Sequence, residues 1–212
     1  MALQSIPAEA AKLTRLHARI RACTKCVEAG LLPRAAPVIE GNLTDRVMIV
    51  GQAPGIVELT TRVPFSGRAG AELRRWLARA GIAEGDLPYR TSITKCFPGK
   101  GASGSGDRRP SPAEIALCER WLEAEIALVR PEVILAVGTL AIGRLWGAEP
   151  LSAVVGRSKR RSDLGGALVI PLPHPSGASR WLNEPANRAH LDRALKLLGR
   201  TWRDLQSGSP RR

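Results

Sequence analysis

The chain has 212 residues, a length suited to one domain, and 44% of them are hydrophobic, which excludes an intrinsically disordered chain. No apolar run approaches the roughly 20 residues a membrane-spanning helix needs. The N-terminal MALQSIPAEAAKLTRLHARI alternates polar and apolar residues as an amphipathic helix does, without the continuous apolar core of a signal peptide, so a cytoplasmic protein is expected. Lys and Arg number 32 against 19 Asp and Glu, a formal net charge of +13. That excess suits a polyanion, because each neutralised phosphate releases a condensed counterion. An Arg- and Ala-rich compositional bias, with a basic tail at Ser209-Pro210-Arg211-Arg212, accounts for the same number without any partner. A membrane surface fits less well, since no long helix pairs a basic face with exposed bulky apolars.

In chain order, Arg46 to Gly51 (RVMIVG) reads as a short strand ending in glycine. Residues 67–80 have helical spacing, with Leu73, Trp76 and Leu77 on one face. Tyr89 to Cys96 reads as a second strand. Ser111-Pro112-Ala113-Glu114 starts a helix with a Ser cap, Pro at the first helical position and Glu at the third; this helix is expected to reach about Val129, before Pro131. Val133 to Gly138 is a nearly all-apolar third strand, read as central and covered on both faces. A helix to about Trp146, a strand from Ala167 to Ile170 and a closing helix from Asn187 to about Leu198 complete the pattern. Strand–helix alternation predicts a three-layer α/β/α sandwich around a four-stranded parallel sheet, a single domain over residues 1–212 with a disordered tail from about 205. Gly99 to Pro110 (GKGASGSGDRRP) reads as a flexible basic loop, and Arg157 to Asp163 (RSKRRSD) as a second basic loop.

The cysteines are Cys23, Cys26, Cys96 and Cys118. The two residues between Cys23 and Cys26 let both thiolates face one metal centre. A disulfide framework does not suit a cytosolic chain with so few cysteines, and a thioredoxin-like site would open a helix after a strand. Structural zinc and a [4Fe-4S] cluster are both satisfied by four thiolates, and spacing does not choose between them. Four unrelated buried thiols are the third possibility.

Two loops look like chemistry. Gly51-Gln52-Ala53-Pro54-Gly55 follows the first strand at its carboxyl end, where open α/β sheets place ligands. It is neither a Walker loop nor a dinucleotide fingerprint. Glu58 and then Pro64-Phe65-Ser66-Gly67 come next; Phe65 either stacks on a planar base or plugs the core. His174-Pro175-Ser176-Gly177 follows the last strand, and the flanking prolines make it a stiff loop aimed at the same edge.

GQAPGIVELTTRVPFSGRAG resembles the first motif of iron–sulfur uracil-DNA glycosylases, commonly GEAPGxxED…G-x-PFVG-x-AG. CTKC, TKCFP, RPSPAEIALC and HPS are similar to that family's remaining motifs and stand in the same order, so the resemblance spans about Leu13 to Leu198. It implies the uracil-DNA glycosylase fold, a [4Fe-4S] cluster on Cys23, Cys26, Cys96 and Cys118, and a monomer that hydrolyses the N-glycosidic bond of uracil in single- or double-stranded DNA during base excision repair. By the same resemblance, uracil lies on Phe65, and its carbonyls meet the backbone of Gln52, Ala53, Pro54 and Gly55. Ser92 or adjacent backbone reads its edge, and His174 donates to the O2 that gains charge. Glu58 is the candidate to orient water or stabilise the sugar cation, against a plain capping or ion-pairing role; the Gln52 amide holds water or base. Ser66 with Gly67, and Pro175, Ser176 and Gly177, are expected on backbone phosphates. Arg180 is the expected wedge into the vacated stack, and Lys159, Arg160 and Arg161 are expected to contact phosphate nonspecifically.

The chain departs from the family pattern at Gln52 (commonly Glu), Leu59 (Asp), Ser92 (Asn) and Asp107 (Asn). Covalently trapping relatives carry a His in the loop before Ser111, whereas His17, His174 and His190 all lie elsewhere, so crosslinking is not expected. These departures support a rival, a non-catalytic binder of uracil or abasic DNA. An electron-transfer protein is a second rival, one that leaves GQAPG and HPS without a purpose.

Overall fold

The computed structural model describes residues 5–102, 104, 106–176 and 180–208. Helices α1 (Ser5–Arg21) and α2 (Lys25–Glu28) precede β1 (Val47–Gly51), and α3 (Ile56–Thr61) and α4 (Arg68–Arg79) lead to β2 (Tyr89–Ser92). Then come α5 (Pro112–Val129), β3 (Val133–Val137), α6 (Thr139–Leu145), α7 (Leu151–Val154), β4 (Lys159–Arg161), β5 (Ala167–Leu172) and α8 (Pro185–Ser207). Among the described residues no helix is long and apolar enough to cross a membrane.

The sheet has five strands in the order β2-β1-β3-β5-β4. β1 runs parallel to both β2 and β3 (Met48 opposite Tyr89, Val47 opposite Val133), and β3 is parallel to β5. The four expected parallel strands are therefore present. The expected second basic loop is in part a fifth strand, because Lys159 to Arg161 pair antiparallel with Val169 to Ala167 at the sheet's edge. Right-handed crossovers place α4, between β1 and β2, on the face opposite α5 and α6, which connect strands in the other direction. Consistently, α4 packs on α8 and α1 packs on α5. Every residue of β1 and β3 is buried, as expected for strands covered on both faces. The chain leaves β1 towards β2 on one side and reaches β3 on the other, so the switch point lies at their carboxyl ends.

The start of α5 is built as its sequence dictates. Ser111 Oγ accepts the Glu114 N–H at 3.2 Å, and the Glu114 carboxylate accepts the Ser111 N–H at 2.6 Å. The last helix is longer than expected: it runs to Ser207 and carries Leu205 against the core, so order extends into the expected tail.

Beneath β2 lies a buried polar network. Lys95, 1% exposed, sets its ammonium 2.5 Å from Glu125 Oε2, 2.7 Å from Thr91 Oγ1 and 2.6 Å from the Ser92 carbonyl. Glu125 also accepts the Tyr89 hydroxyl at 3.0 Å and the Thr91 hydroxyl at 3.1 Å. Since Tyr89 gives its proton to Glu125, His17 Nε2, 2.8 Å away, donates to the tyrosine oxygen. Burial, aided by Arg21, lowers the His17 pKa to about 4, so the imidazole is neutral at neutral pH. Removing one partner of a buried pair strands the other. Lys95→Met is therefore expected to cost about 3–5 kcal/mol in urea denaturation, and the double change Lys95→Met/Glu125→Leu to recover part of that loss.

Candidate active site and cysteine cavity

Both loops singled out in the sequence lie at the carboxyl edge of the sheet. The Phe65 ring covers the end of β1, where a Cβ on Gly51 would sit 2.9 Å from its Cζ. Phe65 is half-buried and holds a left-handed backbone (φ 56°), costly for a bulky residue, at a turn that packs on α4. Gly70 permits that packing, since a Cβ there would lie 1.6 Å from the Phe65 carbonyl oxygen. Arg74 fastens the same carbonyl from the next turn of α4, at 2.9 Å. Phe65 thus covers the carboxyl end of β1 while half-buried and packed against the rim of the core.

Glu58 takes the capping role that the sequence left open. Its Oε2 accepts the Gly55 N–H and its Oε1 the Gly67 N–H, each at 3.0 Å, and the residue is 8% exposed. One carboxylate therefore clamps the GQAPG loop to the PFSG loop. Each Glu58 oxygen thus holds one backbone N–H, and the Gly67 N–H expected on a phosphate is taken. Gln52 and Ala53 are half-buried and Pro54 is buried; the Gln52 carbonyl accepts the Thr94 N–H at 3.2 Å.

His174 stands beside Gly138, the residue after β3, where a left-handed backbone (φ 84°) leaves room: a Cβ would come 3.2 Å from the imidazole Cδ2. The Ser176 N–H donates to Nδ1 at 3.2 Å, and the Ser176 hydroxyl lies 2.9 Å from the same nitrogen. An Nδ1 that accepts leaves the proton on Nε2. Burial pushes the imidazole below its ordinary pKa, with the Asp107 carboxylate pulling the other way. The ring is a neutral, oriented N–H donor.

Several expected residues sit differently. Ser92 is 6% exposed and donates its hydroxyl to the Thr94 carbonyl at 2.8 Å, so that proton does not face a base. Ser66 pairs with the Thr61 hydroxyl at 2.7 Å, and both Ser176 donors turn to His174 instead of outward to phosphate. Pro175 is buried, while Gly177 lies outside the described residues. Arg180 is exposed at the start of a short 3-10 helix, as a wedge requires. Lys159 stacks over Trp146 at 4.7 Å and donates to its carbonyl at 2.5 Å; Arg161 donates to the Leu145 carbonyl at 2.6 Å and pairs with Asp163 at 2.6 Å. These two hold the edge strand, far along β5 from its carboxyl end, and are not free phosphate contacts. Arg160 is exposed and donates to Gly166 at 3.1 Å.

The four cysteines line one cavity together with Thr94, Lys95 and Trp121. None is in a disulfide. Among the described residues, no three His, Cys, Asp or Glu side chains approach closely enough to hold a single metal ion. Burial first, then the neighbouring cysteines and Glu114, pushes the Cys26 thiol up to about 11, and burial pushes Cys96 up to about 12. Burial raises Cys118 as well, although it accepts the Lys95 N–H at 3.2 Å. Four mutually repelling thiolates are stable only around a compensating positive centre. Two more groups in the cavity are unsatisfied: the Thr94 hydroxyl and the Trp121 indole nitrogen are buried without a hydrogen-bond partner. A sulfur-rich cluster supplies acceptors for both. The donor set and the orphaned donors fit such a group.

Sequence reasoning missed four of these residues. Thr94 and Trp121 carry no motif signal. Gly138 looked like the end of a strand, and Asp107 was noted as a departure without a role.

A parallel sheet with an aromatic, a glycine-lined loop and a neutral histidine at its switch point defines a class of base-handling proteins, and comparison places the chain within it. Residues 38–199 match the uracil DNA glycosylase superfamily, and the chain belongs to it. It is 37% identical over 175 residues to a type-4 uracil-DNA glycosylase of Thermotoga maritima, covering 82% of this chain and 86% of that protein. It is 32% identical to the type-4 enzyme of Pyrobaculum aerophilum (87% and 92% covered) and 33% identical to a type-5 enzyme of Thermus thermophilus (63% and 61%).

An amide accepts through only one of its two heavy atoms, so Glu58→Gln strands one of the two loop N–H groups. It is expected to lower stability by about 1–3 kcal/mol, measured by chemical denaturation.

Proposed function

We propose that this protein is a monofunctional uracil-DNA glycosylase that hydrolyses the N-glycosidic bond and leaves an abasic site. The observation that carries this reading is the pairing of Phe65 with an Nε2-protonated His174 at the switch point. A flipped uracil stacked on Phe65 meets the GQAPG backbone with its carbonyls. Negative charge gathers on O2 as the bond breaks, and a fixed neutral N–H donor stabilises that charge more than the ground-state carbonyl. Extrusion costs a few kcal/mol, least from single strands and mismatches. The net charge of +13 favours association with DNA. Arg180, which is exposed, would fill the vacated stack, and Arg160 is the exposed member of the basic triplet that would meet phosphate.

Cys23, Cys26, Cys96 and Cys118 would hold a [4Fe-4S] cluster. Four cysteines lining one cavity with two unpaired donors suit a group that carries its own sulfide acceptors better than a lone zinc ion. When bound, the cluster supplies a structural cross-link between the N-terminal segment, the end of β2 and α5. Lys95, Thr94 and Trp121 would donate to its sulfurs; Arg120 lies 4.3 Å above the Trp121 ring and strengthens the indole donor. Thr94→Val and Trp121→Phe are expected to shorten the lifetime of the cluster's visible absorbance under a chelator, each by at least about threefold, a loss on the scale of one hydrogen bond.

The test of the function is uracil release from single- and double-stranded DNA. His174→Ala is expected to lower the single-turnover rate at least about tenfold while DNA affinity stays near normal, since one oxyanion donor is worth more than that. An unchanged rate removes His174 from the role. The non-catalytic reading predicts binding without release. Protonation of Nδ1 would set an N–H against the Ser176 N–H and undo the orientation. Because the folded pKa lies below the ordinary 6.5, the rate should hold through neutral pH down to that value and fall only in more acidic solution, as a pH profile of single-turnover rates would show.

A further inference from the structure

Gln52 stands where relatives commonly carry a carboxylate, and both Glu58 oxygens hold loop backbone, so a further carboxylate at this edge bears directly on how water is activated. The Gly99–Pro110 loop supplies one. A Cβ on Gly55 would lie 3.0 Å from Asp107 Oδ2, so this oxygen rests against the GQAPG loop. The same carboxylate acts electrostatically on His174, on the opposite loop. Asp107 therefore lies against the GQAPG loop and within electrostatic reach of His174.

The loop is also built to hold it there. Lys100 and Asp107 form an isolated antiparallel bridge, and Lys100 Nζ grips Oδ1 at 2.9 Å, which turns Oδ2 towards Gly55. The Arg108 N–H donates to the Gly99 carbonyl at 2.9 Å. The Arg108 guanidinium forks onto buried Glu114 at 2.6 and 2.7 Å, tying the loop's exit to the first turn of α5. A stretch that reads as flexible from its glycines and serines is thus anchored at the residues beside Asp107.

We propose that Asp107 is the catalytic carboxylate of this enzyme, taking the place of the acidic residue absent at position 52. This rests on the glycosylase reading above. As the C1′–N1 bond breaks, its electron pair leaves with uracil, whose O2 is held by His174 Nε2–H. A water oxygen then forms the new bond to the cationic C1′ and gives its proton to Asp107. The uracil anion takes a proton from solvent and Asp107 returns its own, so the sum is water plus deoxyuridine nucleotide giving uracil plus an abasic sugar.

The experiment compares wild type, Asp107→Asn and Asp107→Ala in single-turnover uracil release, alongside their affinity for DNA carrying uncleavable 2′-fluorodeoxyuridine. Both variants are expected to lose at least about tenfold in rate with affinity unchanged within about twofold. Added formate is expected to restore part of the Asp107→Ala rate and to leave wild type unaffected, which a merely structural role would not produce. A variant rate equal to wild type, a rate loss matched by an equal affinity loss, or an Asp107→Ala rate that formate does not raise overturns the assignment. Failure of wild type itself to release uracil would instead overturn the glycosylase reading.

Discussion

The buried Lys95–Glu125 pair is the constraint on which the two halves of the molecule depend. It lies directly under the end of β2, and each of its partners belongs to a different functional part. Its ammonium holds the Ser92 carbonyl, at the position where base reading is expected, while the backbone N–H of the same lysine holds Cys118. Glu125 brings α5 to Tyr89 and Thr91, and Tyr89 reaches His17 on α1. An ion pair so deeply buried gains little net stability over apolar packing of the same shape. What it adds is a fixed register between the cysteine cavity and the sheet edge, which apolar contacts would allow to slide.

The catalytic edge is organised by a different economy, one of small residues and a single carboxylate. Gly51, Gly70 and Gly138 each leave a space that a neighbouring group fills: the Phe65 ring, the Phe65 carbonyl and the His174 ring. Glu58 then fixes the two loops that the glycines allow to approach. A carboxylate used in this way is fixed by the loops it joins, and a second one comes to the same loop from another element. In this chain the long loop before α5 is the element that arrives.

Much of this was legible in the sequence because it rests on local rules. The Ser111 capping box, the apolar β3 and the strand–helix alternation each follow from spacing over a few residues, and each is present. The cavity's four cysteines were legible as a set only through the ordered motifs, since the separation between Cys26 and Cys96 carries no spatial information by itself. Lys159 and Arg161 misled because charge alone does not reveal whether a cation faces water; here a tryptophan face and carbonyls at the end of α6 claim both. The closing helix outran its apolar pattern because Leu205 still finds the core about two turns beyond the expected end. Thr94 and Trp121 were invisible because an orphaned donor exists only once its surroundings are known.

The Glu58 and Asp107 contrast carries the general point. Both are acidic residues in loops at the carboxyl edge of the sheet, and motif position alone favours Glu58. Accounting for each oxygen reverses the order: both Glu58 oxygens hold backbone N–H groups, whereas Asp107 is gripped through Oδ1 by a lysine and presents Oδ2 to the loop that would cradle the base. A glutamine at position 52 is then no loss of chemistry. It keeps the loop's polar surface while the charge is delivered against Gly55 of the same loop, where it also bears on His174. Two groups facing one bound base, one neutral donor for the departing anion and one anion for the cationic sugar, are the charge distribution that heterolytic cleavage of a glycosidic bond requires.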